Sequence, residues 1–252
     1  VTGSFLDAPV LMQRYFFPRQ EPFAGPFWVE SQGVRLACYY RQKFPEAKTV
    51  IFFHGNGETV ADYIDFYGPM MDFLGYNCFL SEYRGYGLST GEPGLVAMLT
   101  DVSAVIKASG QPLDKLVLFG RSVGSIYAIH GASLFPGIPG LIIESGIAEV
   151  LPRLLLRVQP EDLGVSLEEM EQEVATYLDA EQKLAGYHGQ TLVMHARHDS
   201  MVPLVHGQEL YDWAPLPKVL KIFDQGDHNS IFPDNAETYV QVLKDFLSGL
   251  PG

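Results

Sequence analysis

What most constrains this chain is a set of short, almost uninterrupted apolar runs at residues 49–53, 77–81, 116–119, 141–144, 191–196 and 219–223. A strand with one wet face alternates apolar and polar residues. A continuous run needs cover on both faces, as in a parallel sheet wrapped by helices. Between the runs lie segments with helical spacing. Residues 59–74 carry Val60, Ile64, Tyr67 and Met71, and residues 96–108 carry Leu99, Val102 and Ile106. Residues 122–134 carry Ile126, Ile129 and Ser133, and residues 236–247 carry Tyr239, Val240, Leu243 and Leu247. Alternation of this kind predicts an α/β chain with a mainly parallel sheet. Ahead of it, residues 28–29 and 34–40 flank Ser31-Gln32-Gly33 and read as a hairpin. The stretch before residue 26 holds Phe5, Leu6, Tyr15, Phe16 and Phe17, which are expected to pack it onto the body.

One segment breaks the rhythm. Residues 146–189 are too long for a single crossover and contain Leu151, Leu154, Leu155, Leu156 and Val158, then the acidic run 166–177. The expectation is one domain over residues 1–252 with a small helical cap insertion at about 146–189. An apolar insertion beside a reactive edge is suited to wall a substrate pocket, and Leu154, Leu155, Val158 and Val202 are its candidate lining.

Composition narrows the partners. Hydrophobic residues make up 47% and charged residues 19%, enough apolar mass for a two-sided core. The net charge of −13 repels phosphate backbones, so no nucleic-acid partner is expected. Cys38 and Cys78 sit in apolar stretches and read as buried free thiols. No Cys/His cluster has zinc-ligand spacing, so no metal site is predicted. No apolar run reaches the ~18 residues of a membrane span. Residues 1–11 lack a basic segment followed by an apolar core, which predicts no signal peptide and a cytoplasmic location. The chain opens on Val1 rather than Met, and a segment removed upstream would leave no trace in it.

The reactive candidates come from motifs at run ends. Gly120-Arg121-Ser122-Val123-Gly124 follows an apolar run and precedes a helical segment, the context in which G-x-S-x-G makes a nucleophile elbow. The sharp turn strains the central serine, and the helix start offers N–H groups beside it. His54-Gly55-Asn56-Gly57 follows the run 49–53. A glycine-rich turn there can aim a backbone N–H at a carbonyl oxygen that gains charge, and the backbone N–H groups of Asn56 and Val123 are the predicted oxyanion donors. His54 itself reads as a loop brace. After Ser122, Asp199 follows the run 191–196 and His228 follows the run 219–223. A histidine can take the serine proton while a carboxylate fixes its tautomer. Asp227 and Asp224 are alternative acids, and His195 and His198 alternative bases. Neighbours in sequence rarely point at one another, which weighs against Asp227. His206 and His188 read as loop or helix residues, and His130 falls about two turns down the helix after Ser122.

Taken in order, His54-Gly-Asn-Gly57, Tyr83-Arg-Gly-Tyr-Gly87 with Ser89, Gly120-Arg-Ser-Val-Gly124, Asp199 ahead of Val202-Pro203, and Gly226-Asp-His228 resemble the α/β-hydrolase superfamily. Within it the chain is similar to the Bem46-like and ABHD13/17-like serine hydrolase branch, over about residues 28–246. The resemblance implies an eight-stranded, mostly parallel sheet with its second strand antiparallel, a Ser122–Asp199–His228 triad, and no cofactor. It implies hydrolysis of a small-molecule carboxylic ester through an acyl-enzyme, with thioesters, acyl peptides or amides as alternatives served by the same triad. A non-catalytic scaffold of the same fold would be expected to lack a triad member. Arg121 departs from the smaller or neutral residue that relatives carry there, and is suited to brace a carboxylate or bias the pocket. Membrane-bound relatives carry an anchor or a Cys-rich tail, and neither is present in these residues.

Overall fold

The computed structural model describes residues 3–251. Val1, Thr2 and Gly252, including the first two residues of the 1–11 segment read for a signal, lie outside the described residues. The chain starts with a short helix, α1 (Pro9–Tyr15), and then forms the predicted hairpin from β1 (Phe27–Ser31) and β2 (Val34–Arg41). The alternation follows: β3 (Thr49–Phe53), α2 (Ala61–Leu74), β4 (Asn77–Ser81), α3 (Ala97–Ala108), β5 (Leu116–Arg121), α4 (Gly124–Leu134) and β6 (Gly140–Glu144). The segment after β6 folds as α5 (Val150–Leu155), a 3-10 turn (Pro160–Leu163), α6 (Leu167–Leu178) and α7 (Ala180–Ala185). The chain returns through β7 (Gln190–Ala196), α8 (Leu204–Trp213), β8 (Lys218–Phe223) and α9 (Ile231–Ser248).

The eight strands form one sheet in the order β1-β2-β4-β3-β5-β6-β7-β8. β2 runs antiparallel to both its neighbours, and β3 to β8 are parallel. The continuous apolar runs are explained by two covered faces. Ile51, Phe53, Leu116, Leu118, Leu141, Ile143 and Val193 pack into one apolar layer. Their neighbours Val50, Phe52, Val117, Phe119, Ile142, Leu192 and Met194 pack into the other. Strands β3 to β7 keep their period of two, but neither phase meets water, whereas the edge strand β8 leaves Val219 half exposed. Cys38 and Cys78 are free, buried, and on opposite layers.

The N-terminal stretch packs as expected at Leu6, Tyr15 and Phe16, while Phe17 stays half exposed. Two helices were not anticipated. α1 begins at Pro9, whose fixed φ suits a first helical turn. α8 buries only His206, Gly207 and Leu210, too few positions to give a clear apolar stripe. α9 starts five residues before the periodic segment because it is two helical pieces joined at Asn235, where φ is −135°. The Asn235 amide fills the break by donating to the carbonyls of Gln225 and Ile231. Among the described residues no helix is long and apolar enough to cross a membrane.

Candidate active site

Ser122, Asp199, His228 and Asn56 all follow C-terminal ends of parallel strands, β5, β7, β8 and β3, and therefore converge on one edge of the sheet. Ser122 has φ +52°, a left-handed conformation that a serine adopts only when its surroundings enforce it. Those surroundings are tight. A Cβ on Gly120 would lie 2.5 Å from the Gly124 carbonyl oxygen, and one on Gly124 would collide with the backbone of Phe53 and His54. The two glycines let the helix start press onto β5 and β3, and that closeness presents the hydroxyl at the tip of the turn.

His228 Nε2 lies 3.0 Å from Ser122 Oγ, and His228 Nδ1 lies 2.8 Å from Asp199 Oδ2. A carboxylate can only accept, so Nδ1 carries the proton and Nε2 is left as an acceptor for the serine hydroxyl. Asp199 Oδ1 accepts from the backbone N–H groups of Met201 and Val202 at 3.0 and 2.7 Å. Burial opposes the Asp199 carboxylate, but the His228 and Val202 hydrogen bonds outweigh it and hold its pKa below the usual range. The three side chains are buried, with Ser122 8%, Asp199 7% and His228 3% exposed. Among the described residues, neither the Asn56 nor the Val123 backbone N–H donates to a protein acceptor.

The alternative acids and bases are occupied elsewhere. Asp227 accepts from the Ser200 N–H and hydroxyl and from the His228 N–H, and its pKa falls to about 2 for those reasons. Asp224 pairs with Arg197. His195 is fully buried behind Asp199, with Nε2 2.8 Å from the Val202 carbonyl. His198 and His188 are exposed, and His130 and His206 lie on α4 and α8.

Around this core the structure adds braces, and Arg121 takes the carboxylate-bracing role, one of the two expected of it. Arg121, the last residue of β5, pairs with Glu58 and with Glu144, the latter at 3.2 Å. Its remaining nitrogen donates to the His228 carbonyl at 2.8 Å and to Asn229 Oδ1 at 2.9 Å. Tyr63 donates to Glu58, and Tyr239 to Glu144. One guanidinium thus ties the loop of His228 to the strand that carries Ser122. Burial disfavours the Arg121 charge, but the surrounding acidic groups reverse this and raise its pKa.

A second set of braces holds the Asn56 loop. His54 Nδ1 faces the Gly55 carbonyl at 2.8 Å and Nε2 faces Glu82 at 2.7 Å, which fits the loop-bracing reading of His54. Burial works against a charged imidazole, yet Glu82 prevails and raises the His54 pKa. Tyr83 donates to the His54 carbonyl, and Tyr86 donates to Asn56 Oδ1 at 2.9 Å. Asn56 Oδ1 also accepts from the Phe17 N–H, while its amide donates to the Tyr15 carbonyl. The Tyr83–Gly87 motif and the N-terminal stretch therefore meet on this loop.

Two cavities adjoin the Ser122–His228 pair, one lined by each residue. The larger, about 470 Å³, is lined by His228, Arg121, Glu58, Glu144 and a wall of aromatics including Phe66 and Phe232. Ser122 does not line it. The smaller, about 130 Å³, is lined by Ser122, Asn56 and Val123. Tyr15, Phe17, Met201 and Val202 complete it, with Arg153, Leu156 and Arg157 from the inserted segment. Of the four pocket positions, Val202 lines this cavity. Leu154 on α5 and Val158 just beyond its end turn into the core, and Leu155 packs against it. Among the described residues no group of His, Cys, Asp and Glu is arranged to hold a metal ion.

Known proteins resemble this chain in sequence and in fold. The Hydrolase_4 family model, described as serine aminopeptidase, S33, matches residues 45–163. Uncharacterized protein YfhR of Escherichia coli (strain K12) is 27% identical over 209 residues, covering 79% of this chain and 69% of its own. Alpha/beta hydrolase domain-containing protein 17C of Xenopus tropicalis is 23% identical over 229 residues, covering 88% of this chain and 68% of its own. Among solved structures, the Pyrococcus furiosus esterase Pf2001 superposes with a TM-score of 0.74 at 18% identity, over 93% of this chain and 99% of that one. The chain has the α/β-hydrolase fold and is similar in sequence to members of the α/β-hydrolase superfamily.

Proposed function

We propose that the chain is a serine hydrolase of carboxylic esters, working through an acyl-enzyme on Ser122. The observation that carries this reading is the continuous hydrogen-bonded line from Asp199 through His228 to the Ser122 hydroxyl. Ser122 Oγ attacks the ester carbonyl as His228 Nε2 takes its proton. The oxyanion settles on the N–H groups of Asn56 and Val123, each such donor being worth about 3–4 kcal/mol in the transition state. The C–O bond to the alcohol breaks as His228 returns the proton to the leaving oxygen. Water then attacks the acyl-enzyme with His228 again as base, and the acid departs from Ser122. The cavity that Ser122 opens into, rather than the larger one beside it, is the place for the reacting group, since only there can Oγ touch a carbonyl. Its small volume suits a short to medium acyl group.

A second reading, amide or peptide hydrolysis, is favoured by the serine aminopeptidase description of the matching family. A free amino terminus needs a carboxylate near the scissile bond, and the Ser122 cavity is lined by none. Esters therefore come first. The test is a panel of p-nitrophenyl esters, acyl thioesters and aminoacyl anilides with wild type, Ser122→Ala and His228→Ala. Ester turnover lost in both variants is the expected result. Turnover unaffected by Ser122→Ala overturns the reading, and anilides preferred over esters replace it with the second.

A further inference from the structure

The lining of the Ser122 cavity has a charge opposite to that of the whole molecule. The chain carries −13, yet this cavity presents Arg153 and Arg157 and no aspartate or glutamate. Elsewhere among the described residues, every arginine lies within salt-bridge distance of a carboxylate. Arg153 and Arg157 are in no such pair, and neither guanidinium donates to a protein acceptor. Arg157 is instead oriented by an aromatic face, its guanidinium 5.9 Å from the centre of the Phe17 ring. Arg153 on α5 and Arg157 just beyond its end both line the cavity that holds the nucleophile. In a chain with carboxylates to spare, two cations left without partners at the wall of a reactive cavity form a preorganised anion seat. Low-dielectric walls focus that field on whatever enters.

We propose that the substrate is a compact, water-soluble ester bearing an anionic group, a carboxylate, sulfonate or phosphate, held against Arg153 and Arg157 while its carbonyl sits at Ser122. The small cavity favours a compact molecule, and the net charge of −13 disfavours docking on an anionic lipid surface. The inference rests on Ser122 being the nucleophile.

Two matched substrate pairs test it. Phenyl hydrogen adipate against phenyl hexanoate puts the anion on the acyl side. 4-Acetoxybenzenesulfonate against 4-acetoxyphenyl methyl sulfone puts it on the leaving side. In at least one pair the anionic member is expected to have a kcat/KM about tenfold higher or more at low ionic strength, the scale of a charge-assisted hydrogen bond. The pair that shows it assigns the half of the substrate that carries the charge. The preference shrinks with added salt and in Arg153→Gln with Arg157→Gln, and returns in part with lysine at both positions. Arg35→Gln removes one charge on the distant hairpin and leaves the preference intact. Where turnover of both pairs is too slow to measure, the same comparison is made on the rates at which carboxylate-bearing and neutral fluorophosphonates label Ser122. Labelling of Ser122 with no preference for the anion, or a preference that survives loss of both arginines, overturns the inference. Absence of Ser122 labelling overturns the proposed function instead.

Discussion

The two cavities beside the Ser122–His228 pair, one lined by each residue, handle charge in opposite ways. In the larger one every charged group at its base has a partner: Arg121 meets Glu58 and Glu144, and Tyr63 and Tyr239 donate to those carboxylates. In the smaller one the two arginines meet none. A buried, fully matched network fixes geometry, and removing one member strands the others at high cost. An unmatched pair, Arg153 half-buried and Arg157 exposed, takes part in no ion pair within the protein. The comparison separates residues that hold the site in shape from residues free to act on a ligand, although both sets lie within one or two side chains of the same histidine.

Four substitutions put that contrast at risk, and their effects should descend in size. Ser122→Ala should lower ester kcat by about 10⁴-fold or more, because nucleophile and base act as a unit. Steady-state kinetics on a p-nitrophenyl ester check it. Arg121→Met should destabilise the fold by about 3–5 kcal/mol, the usual result of leaving buried carboxylates without their cation. Urea denaturation measures this, and a loss below about 1 kcal/mol would show that the matched network is not a brace. Tyr239→Phe should cost about 1–3 kcal/mol by the same assay, since Glu144 loses a donor in a buried site. The double change Arg153→Gln with Arg157→Gln should alter stability by no more than about 0.5 kcal/mol, as surface changes outside any network do. A large loss there would erase the difference between the cavities.

A pH effect lies outside both cavities and calibrates the scale. His130 on α4 is depressed from 6.5 to about 4 by burial, helped by Lys183. The unfolded chain therefore binds more protons there, and His130 contributes stability above pH 6.5 that is lost as pH falls towards 4. Thermal midpoints should drop more steeply over that window in wild type than in His130→Gln.

Much of the architecture was legible because it follows from one property. Strands buried on both faces must be apolar throughout, so β3 to β7 stand out in the sequence, the edge strand β8 adds a shorter apolar run, and the ends of β5, β7 and β8 lead to Ser122, Asp199 and His228. Helices were legible only where they carry a clear stripe. α8 buries three positions and α9 is interrupted at Asn235, so spacing signals neither the first nor the start of the second. The side of the insertion was illegible for a similar reason. Its leucines are conspicuous, but hydrophobicity sends Leu154 and Val158 inward and leaves Arg153, Leu156 and Arg157 to face the cavity. Arg121 shows the deepest limit. Its partners Glu58, Glu144 and Asn229 come from three different loops and strand ends, and no spacing rule joins them. Asn56 was read for its backbone alone, whereas its side chain fastens Tyr15 and Phe17 to the loop.

The central claim is that Ser122 is the activated nucleophile. Labelling with a fluorophosphonate, followed by peptide mass mapping, tests it most directly. The account predicts one adduct, on Ser122, absent in Ser122→Ala and strongly reduced in His228→Ala. An adduct on a different residue, or none under conditions where a control serine hydrolase reacts fully, would contradict it.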